Sequence, residues 1–258
     1  ERVTGQGLDV FLHERVFGPL GMVNTFFRPA DSLKARVAPT EVSPPRGYPL
    51  QGEVHDENAY ALGGVARPAG LIRPERELSL FAQMILEGGE YKGVRIVSDS
   101  TVKLFTTRAA GSRALGWAMA DGQWGSGRFM SDGSFGHVGY TGTSLWIDPD
   151  REMFVVLLTN RVHAARARHP AKVIADVRAD LTDAAAIAVT DDPSQTIAMP
   201  ASFRSDAAKG WNRPAHKARR HTHATRHTSH SKAKASASKS KSTHKAAPKA
   251  RTHKKKAA

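Results

Sequence analysis

Cysteine is absent from the 258 residues, which removes disulfides and thiolate metal sites and is compatible with either a reducing or an oxidising compartment. Long apolar runs are missing too: none reaches the roughly 18 residues that a membrane helix needs. The start shows no charged segment followed by an apolar run and a cleavage site, and the first residue is Glu1 rather than Met, so the expectation is a cut or processed chain without a membrane span. Acidic residues stop at Asp206. From Ala207 to Ala258 there are 16 Lys and Arg, and taking these from the 38 of the whole chain leaves 22 basic residues against 24 acidic ones in the body. The net charge of +14 therefore belongs to the tail, and the body is near neutral at about −2.

Apolar spacing divides that body. Leu8, Phe11, Leu12 and Val16 recur at helical intervals between Gly7 and Phe17, and Gly18-Pro19 stops the pattern. Beyond a loop-rich region, Leu78, Phe81, Ala82 and Ile85 form one face of a second helix, with Pro74 in its first turn and Gly88-Gly89 at its end. A short hairpin is expected from Tyr91 to Val97, and Ser98 suits the N-cap of a short helix to about Phe105. Leu115 to Met119, Gly127 to Met130 and Phe135 to Val138 are strand candidates. Ser144 to Ile147 and Met153 to Leu158 read as a hairpin about the turn Asp148-Pro149-Asp150. A closing helix from near Pro170 sets Ile174, Val177, Leu181 and Ala185 on one face. Helices, then antiparallel strands, then a helix amount to an α+β fold, an antiparallel β-sheet flanked by helices. The expected division is a folded domain over 1–188, a linker over 189–206 and a tail over 207–258. That tail is too poor in large apolar residues to offset its ordering entropy, and is expected to be disordered.

Chemistry concentrates in FGHVGYTGTSLWIDP, where Gly136, Gly139 and Gly142 recur every third residue. A strand gives up side-chain packing at such positions where another backbone or a ligand comes close. With GQGLDVFLHERVFGPLGMVNTFF, VHDENAYALGGVARPAGL and LLTNR, in this order, the segment resembles signatures of the serine β-lactamase and penicillin-binding-protein superfamily. The branch it resembles is the β-lactamase-related serine hydrolases and esterases akin to class C β-lactamases, over about residues 1–188. The resemblance implies a β-lactamase/DD-peptidase-like domain with its active site where the sheet edge meets a helical region. It implies acyl transfer on a lactam, peptide or ester, a small-molecule or peptidoglycan-like substrate, no cofactor, and a periplasmic or extracellular location.

In that family the third motif is commonly K-T-G, and H-x-G in this branch, which here matches His137-Val138-Gly139. The carry-over makes the backbone N–H of Tyr140 one of two oxyanion donors and His137 a proton-transfer or substrate-orienting group, with Gly139, Val138 and Thr141 against the substrate. A strand edge suits the task because it aims an N–H at developing charge, while glycine lets substrate lie close. Val138 stands where Thr is usual, which removes a hydroxyl for a substrate carboxylate and speaks against a β-lactam or D-alanyl-peptide specificity. Arg67-Pro68 stands where Gly-His is usual at the pocket rim. His55-Asp56 reads as a capping or loop pair, and His13, His55, His137, His163 and His169 show no metal-ligand spacing, so no metal is expected.

The family order places S-x-x-K and a Tyr motif before the G-Q-G-L helix. The expectation is an N-terminally truncated domain whose reactive Ser, Lys and Tyr fall outside this chain, leaving it inactive alone. Ser100-Thr101-Val102-Lys103 satisfies S-x-x-K, but it follows the VHDENA segment and reads as the first turn of a surface helix. Further matches from Ser231, Ser236 and Ser242 fall in a Lys- and Ser-rich tail where chance supplies them. An alternative from another class is a noncatalytic protein binding nucleic acid or an anionic envelope polymer through residues 207–258. Affinity that falls steeply with salt is the mark of such attachment. No aromatic residue follows Trp211, so base stacking is excluded. Seven histidines would strengthen the attraction below about pH 6.5.

Overall fold

Gly7 leads into α1 (Leu8–Leu12), which runs on into a π-helical turn, His13–Phe17, where a single α-helix is expected. Leu8, Leu12 and Val16 still share one face, packed on Phe17, Leu20, Met22, Phe27 and Met84. The computed structural model describes residues 1–43, 45–66, 69–163, 171–189 and 204. Arg67-Pro68, His169, Pro170 and the tail, with its Ser-x-x-Lys matches, lie outside the described residues. Two short helices follow, α2 (Asp31–Lys34) and α3 (Glu57–Ala61). The longer α4 (Glu75–Leu86) has Pro74 at its cap rather than in its first turn, and ends at Gly88 and Gly89, whose φ of +68° and +92° suit glycine. The hairpin β1 (Glu90–Tyr91) and β2 (Val94–Arg95) comes next, then α5 (Asp99–Thr106), capped by Ser98 Oγ accepting from Thr101 N–H at 3.2 Å.

A four-stranded antiparallel sheet follows in chain order: β3 (Ala118–Met119), β4 (Phe135–Val138), β5 (Ser144–Asp148) and β6 (Met153–Leu157). The closing helix is α6 (Ala171–Ala188). Leu145, Ile147 and Phe135 pack with Leu78 and Ala82 of α4, while Trp146, Met153 and Val155 pack with Ala186 of α6. A sheet covered on both faces explains why β5 and β6 read as nearly unbroken apolar runs rather than alternating ones.

Two strand candidates are corrected. Of Leu115 to Met119 only the last two residues pair, and Gly127 to Met130 is loop: Gly127 has φ +77° and lies so close to Asp183 and Thr182 of α6 that no side chain fits. The buried face of α6 is also rotated from expectation. Val173, Ile174, Arg178, Thr182, Asp183 and Ala186 are buried and Leu181 is exposed, because Asp183 Oδ1 accepts from the N–H groups of Arg128 and Phe129. Loops with unpaired amides and carbonyls, not an apolar surface alone, cover this helix, and buried backbone groups require polar partners.

The turn between β5 and β6 is fastened by Asp148, which is fully buried. Its Oδ2 accepts from Ser131 N–H at 3.0 Å and Arg151 Nη1 at 2.9 Å. Burial pushes its pKa up, but these donors outweigh burial and hold it below the ordinary aspartate value. Asp148→Ala, which strands Ser131 N–H and Arg151, is expected to cost about 3 kcal/mol in urea unfolding. Since the folded-state pKa is depressed, the carboxylate's contribution is present above the unfolded pKa and lost as pH falls through the folded one. The gap between wild type and variant should therefore close below about pH 4.

Candidate active site

Strand β4 changes character along its length. Its register with β5 runs through Phe135, Gly136, His137 and Val138, but its register with β3 ends at Gly136. From His137 onward the side of β4 away from β5 has no strand on it among the described residues, so the glycine segment forms the sheet edge only in its second half. Gly136 is glycine because a Cβ would meet the Leu145 carbonyl and the Trp146 ring. Here the close approach that a strand glycine signals is to backbone and ring, not to a ligand.

Beyond β4 the chain makes a tight turn, with Gly142 N–H donating to Gly139 O at 3.1 Å and Gly139 N–H donating to Thr143 O at 2.8 Å. Each carbonyl of the turn is also held by the segment after β6 or by α6. Arg178 Nη2 donates to Gly139 O at 2.8 Å, Arg161 Nε to Tyr140 O at 2.7 Å, Arg161 N–H to Thr141 O at 2.8 Å and Thr159 Oγ1 to Gly142 O at 2.8 Å. Gly142, at φ +120°, could not carry a side chain without strain. The turn is thus a fixed structure rather than a mobile loop tip.

His137 is exposed, its Nδ1 3.0 Å from Val138 O, and Val138 is half-buried against the Trp146 cluster on the α6 side of the sheet. Gly139 and Thr141 are half-buried, and Tyr140 is 57% exposed. His137, Gly139, Tyr140 and Thr141 are thus all at least partly accessible, while the Val138 side chain packs toward the core. The Tyr140 ring stacks on His55 at 5.7 Å between centroids, and the Arg161 guanidinium lies 4.7 Å from the same ring. His55 Nε2 in turn lies 2.7 Å from Glu41 Oε1. Its neighbour Asp56 caps α3, accepting from Ala59 N–H at 2.8 Å, as expected for a capping residue. Asn160 Nδ2 donates to Pro39 O, and His163 Nδ1 lies 2.8 Å from Thr40 O, so these contacts join segments 39–41 and 159–163.

The sequence pattern left several of these residues without a role. Glu41 and His55 are 14 positions apart and share no motif. Arg161 ends the LLTNR phrase but shows its purpose only where β6 leads back beneath the turn. Arg178 is buried on α6, and burial chiefly, with the charge of Arg161 second, pushes its pKa down to about 10. In the sequence it stands between Asp176 and Asp180 and looks like one more charge on an exposed helix face. Ser100 and Lys103 are exposed on α5, with Ser100 Oγ 2.9 Å from Ser98 Oγ and Lys103 Nζ 2.7 Å from Asp99 Oδ2. That ammonium serves a neighbouring carboxylate, as on an ordinary helix surface. Among the described residues no group of acidic and histidine side chains could hold a metal ion, and no helix is long and apolar enough to cross a membrane.

The beta-lactamase family model matches residues 1–179. The chain belongs to the β-lactamase family. That family comprises serine hydrolases, and the mixed sheet and helices of the chain are of its type. A homologue named D-alanyl-D-alanine carboxypeptidase from Escherichia coli K12 is 35% identical over 185 residues, covering 64% of this chain and 42% of that protein. A Bacillus subtilis protein named N-acetylmuramyl-L-alanine amidase is 33% identical over 182 residues, covering 63% and 41%. Among solved structures, a LovD6 mutant of simvastatin synthase from Aspergillus terreus shares the fold. It has a TM-score of 0.52 at 17% identity, with 73% of this β-lactamase-family chain and 53% of that one covered. The chain thus spans about two fifths of the length of the curated relatives it matches.

Proposed function

We propose that the turn after β4 is the oxyanion wall of a serine acyl-transfer site. The observation that carries this reading is the sheet edge that opens at His137 and leads to an exposed Tyr140, with every carbonyl of residues 139–142 held. In this reading the Tyr140 N–H is one of two donors to the oxyanion, His137 moves a proton or orients substrate, and Gly139 and Thr141 border the substrate. Val138 presents only its backbone to the cleft. A serine hydroxyl attacks the substrate carbonyl: its proton passes to a base of the site, which later gives it to the leaving group, its oxygen bonds to carbon, and the carbonyl electron pair moves onto the oxygen facing the wall. Collapse expels an amine or alkoxide that takes a proton, and water then cleaves the acyl-serine ester.

The names of the related proteins support a peptidoglycan-like peptide amide as the substrate. In this reading the attacking serine, with its lysine, lies outside residues 1–258. Loss of a triad-type nucleophile costs on the order of 10⁶ in turnover. Residues 1–258 alone are therefore expected to form no adduct with a fluorescent penicillin and to leave a p-nitrophenyl ester intact, whereas the full-length protein should be labelled by an acylating probe. An adduct on residues 1–258 that disappears with Ser100→Ala would move the nucleophile to α5. A full-length protein unreactive toward β-lactam, ester and fluorophosphonate alike would overturn the reading.

A further inference from the structure

A buried guanidinium without an acidic partner is rare, because desolvating a charge is costly unless it is paired and hydrogen-bonded. Arg178 is 5% exposed, and no carboxylate lies within ion-pair distance of it among the described residues. Its Nε has no hydrogen-bond partner there. What it does have is two backbone carbonyls of the turn between β4 and β5, Gly139 O at 2.8 Å and Thr143 O at 3.0 Å, both accepting from Nη2. Gly125, at φ +88°, lies on the Arg178 stem so closely that a side chain there would strike it.

The target carbonyl matters. Gly139 C=O and Tyr140 N–H belong to one planar trans peptide group, in which the two bonds point in opposite directions. A donor that fixes the Gly139 oxygen toward α6 therefore aims the Tyr140 N–H away from α6. A charged donor also polarises that peptide group, so its N–H becomes a stronger donor in turn. We infer that Arg178 is a positioning residue for acyl transfer, holding and polarising the 139–140 peptide so that the Tyr140 N–H is preset for the substrate oxyanion. This inference rests on the site proposed above and adds to it a residue on another element. It also gives the buried cation a purpose: Arg178 touches no substrate and acts only through the amide.

The test has two arms that fail separately. The chain holds four tyrosines, Tyr48, Tyr60, Tyr91 and Tyr140, so 15N-tyrosine labelling of residues 1–258 gives one amide signal for each. Arg178→Gln should move the Tyr140 amide resonance upfield and speed its hydrogen exchange while leaving the other three in place. In the full-length protein the same substitution should lower the acylation kcat on the order of tenfold, at unchanged KM, because the donor weakens but remains. Arg178→Lys should restore part of both. An unmoved Tyr140 signal in folded Arg178→Gln, or wild-type acylation by that variant, overturns the inference. Should Arg178→Gln fail to fold, Arg178→Lys, which exchanges the guanidinium for one ammonium, is read in the same way. A wild-type full-length protein without acylating activity would instead remove the site reading, while the spectroscopic arm still reports on the arginine.

Discussion

Tyr140→Pro in the full-length protein is expected to lower the acylation rate constant about 10²- to 10³-fold, the loss that follows removal of one oxyanion-hole donor. Tyr140→Ala should lose less than about tenfold, since it keeps the N–H and gives up only exposed ring contacts of the cation–π kind. The pair separates amide from side chain. Beyond the ring, which the alanine variant loses as well, proline deletes only the N–H, because Tyr140 is the second residue of the turn Gly139–Gly142, where a φ near −65° is favoured. The residue before it is Gly139, which tolerates the restriction that proline imposes on its neighbour. Alanine removes the ring that stacks on His55 and lies beside Arg161, but leaves the backbone bonds to Arg161 and Arg178 in place. Rates from stopped-flow labelling with a fluorescent acylating probe decide the matter. Equal rates for the proline variant and wild type would remove Tyr140 N–H from the chemistry, whatever the fate of the alanine variant.

How much of this arrangement the sequence disclosed depends on how locally each feature is encoded. The apolar strands β5 and β6 and the turn between them followed from composition and turn residues, and the capping roles of Ser98 and Asp56 from residue type at a helix start. The H-x-G segment pointed to the place where β4 loses its second neighbour. Failures occurred where a segment is shaped by something distant. Gly127 to Met130 has the look of a strand but is drawn into a loop by Asp183, more than fifty residues away. The helical face expected from Ile174, Val177, Leu181 and Ala185 assumed that α6 meets only apolar surface. In fact it also receives backbone amides and carbonyls, and Arg178, Thr182 and Asp183 turn inward to meet them. The same reason hid the supports of the turn: hydrogen bonds from Arg161, Thr159 and Arg178 are satisfied by carbonyls, which every residue possesses and no sequence pattern marks.

The turn is only as fixed as the strand that leads into it, and Gly136→Ala is expected to show this through stability. A Cβ at this position would overlap the carbonyl of Leu145 and the indole of Trp146. Neither can yield: Leu145 belongs to the central strand, paired on both sides, and Trp146 is completely buried between the sheet and α6. Overpacking that displaces a flexible side chain costs about 1–3 kcal/mol, and displacing ladder backbone stands at or above the upper end of that range. Against a typical total of about 5–15 kcal/mol, a loss of about 3 kcal/mol or more would lower Tm by roughly 6–12 °C for a domain of this size. Gly133→Ala supplies the control, because a Cβ there meets only Asp150 Oδ2 at 3.9 Å. Its expected change lies within about 0.5 kcal/mol. If both glycine variants melt with wild type, β4 does not approach β5 as closely as described. The turn 139–142, whose carbonyls Arg161 and Arg178 hold from the segment after β6 and from α6, would then lose the rigid strand that leads into it.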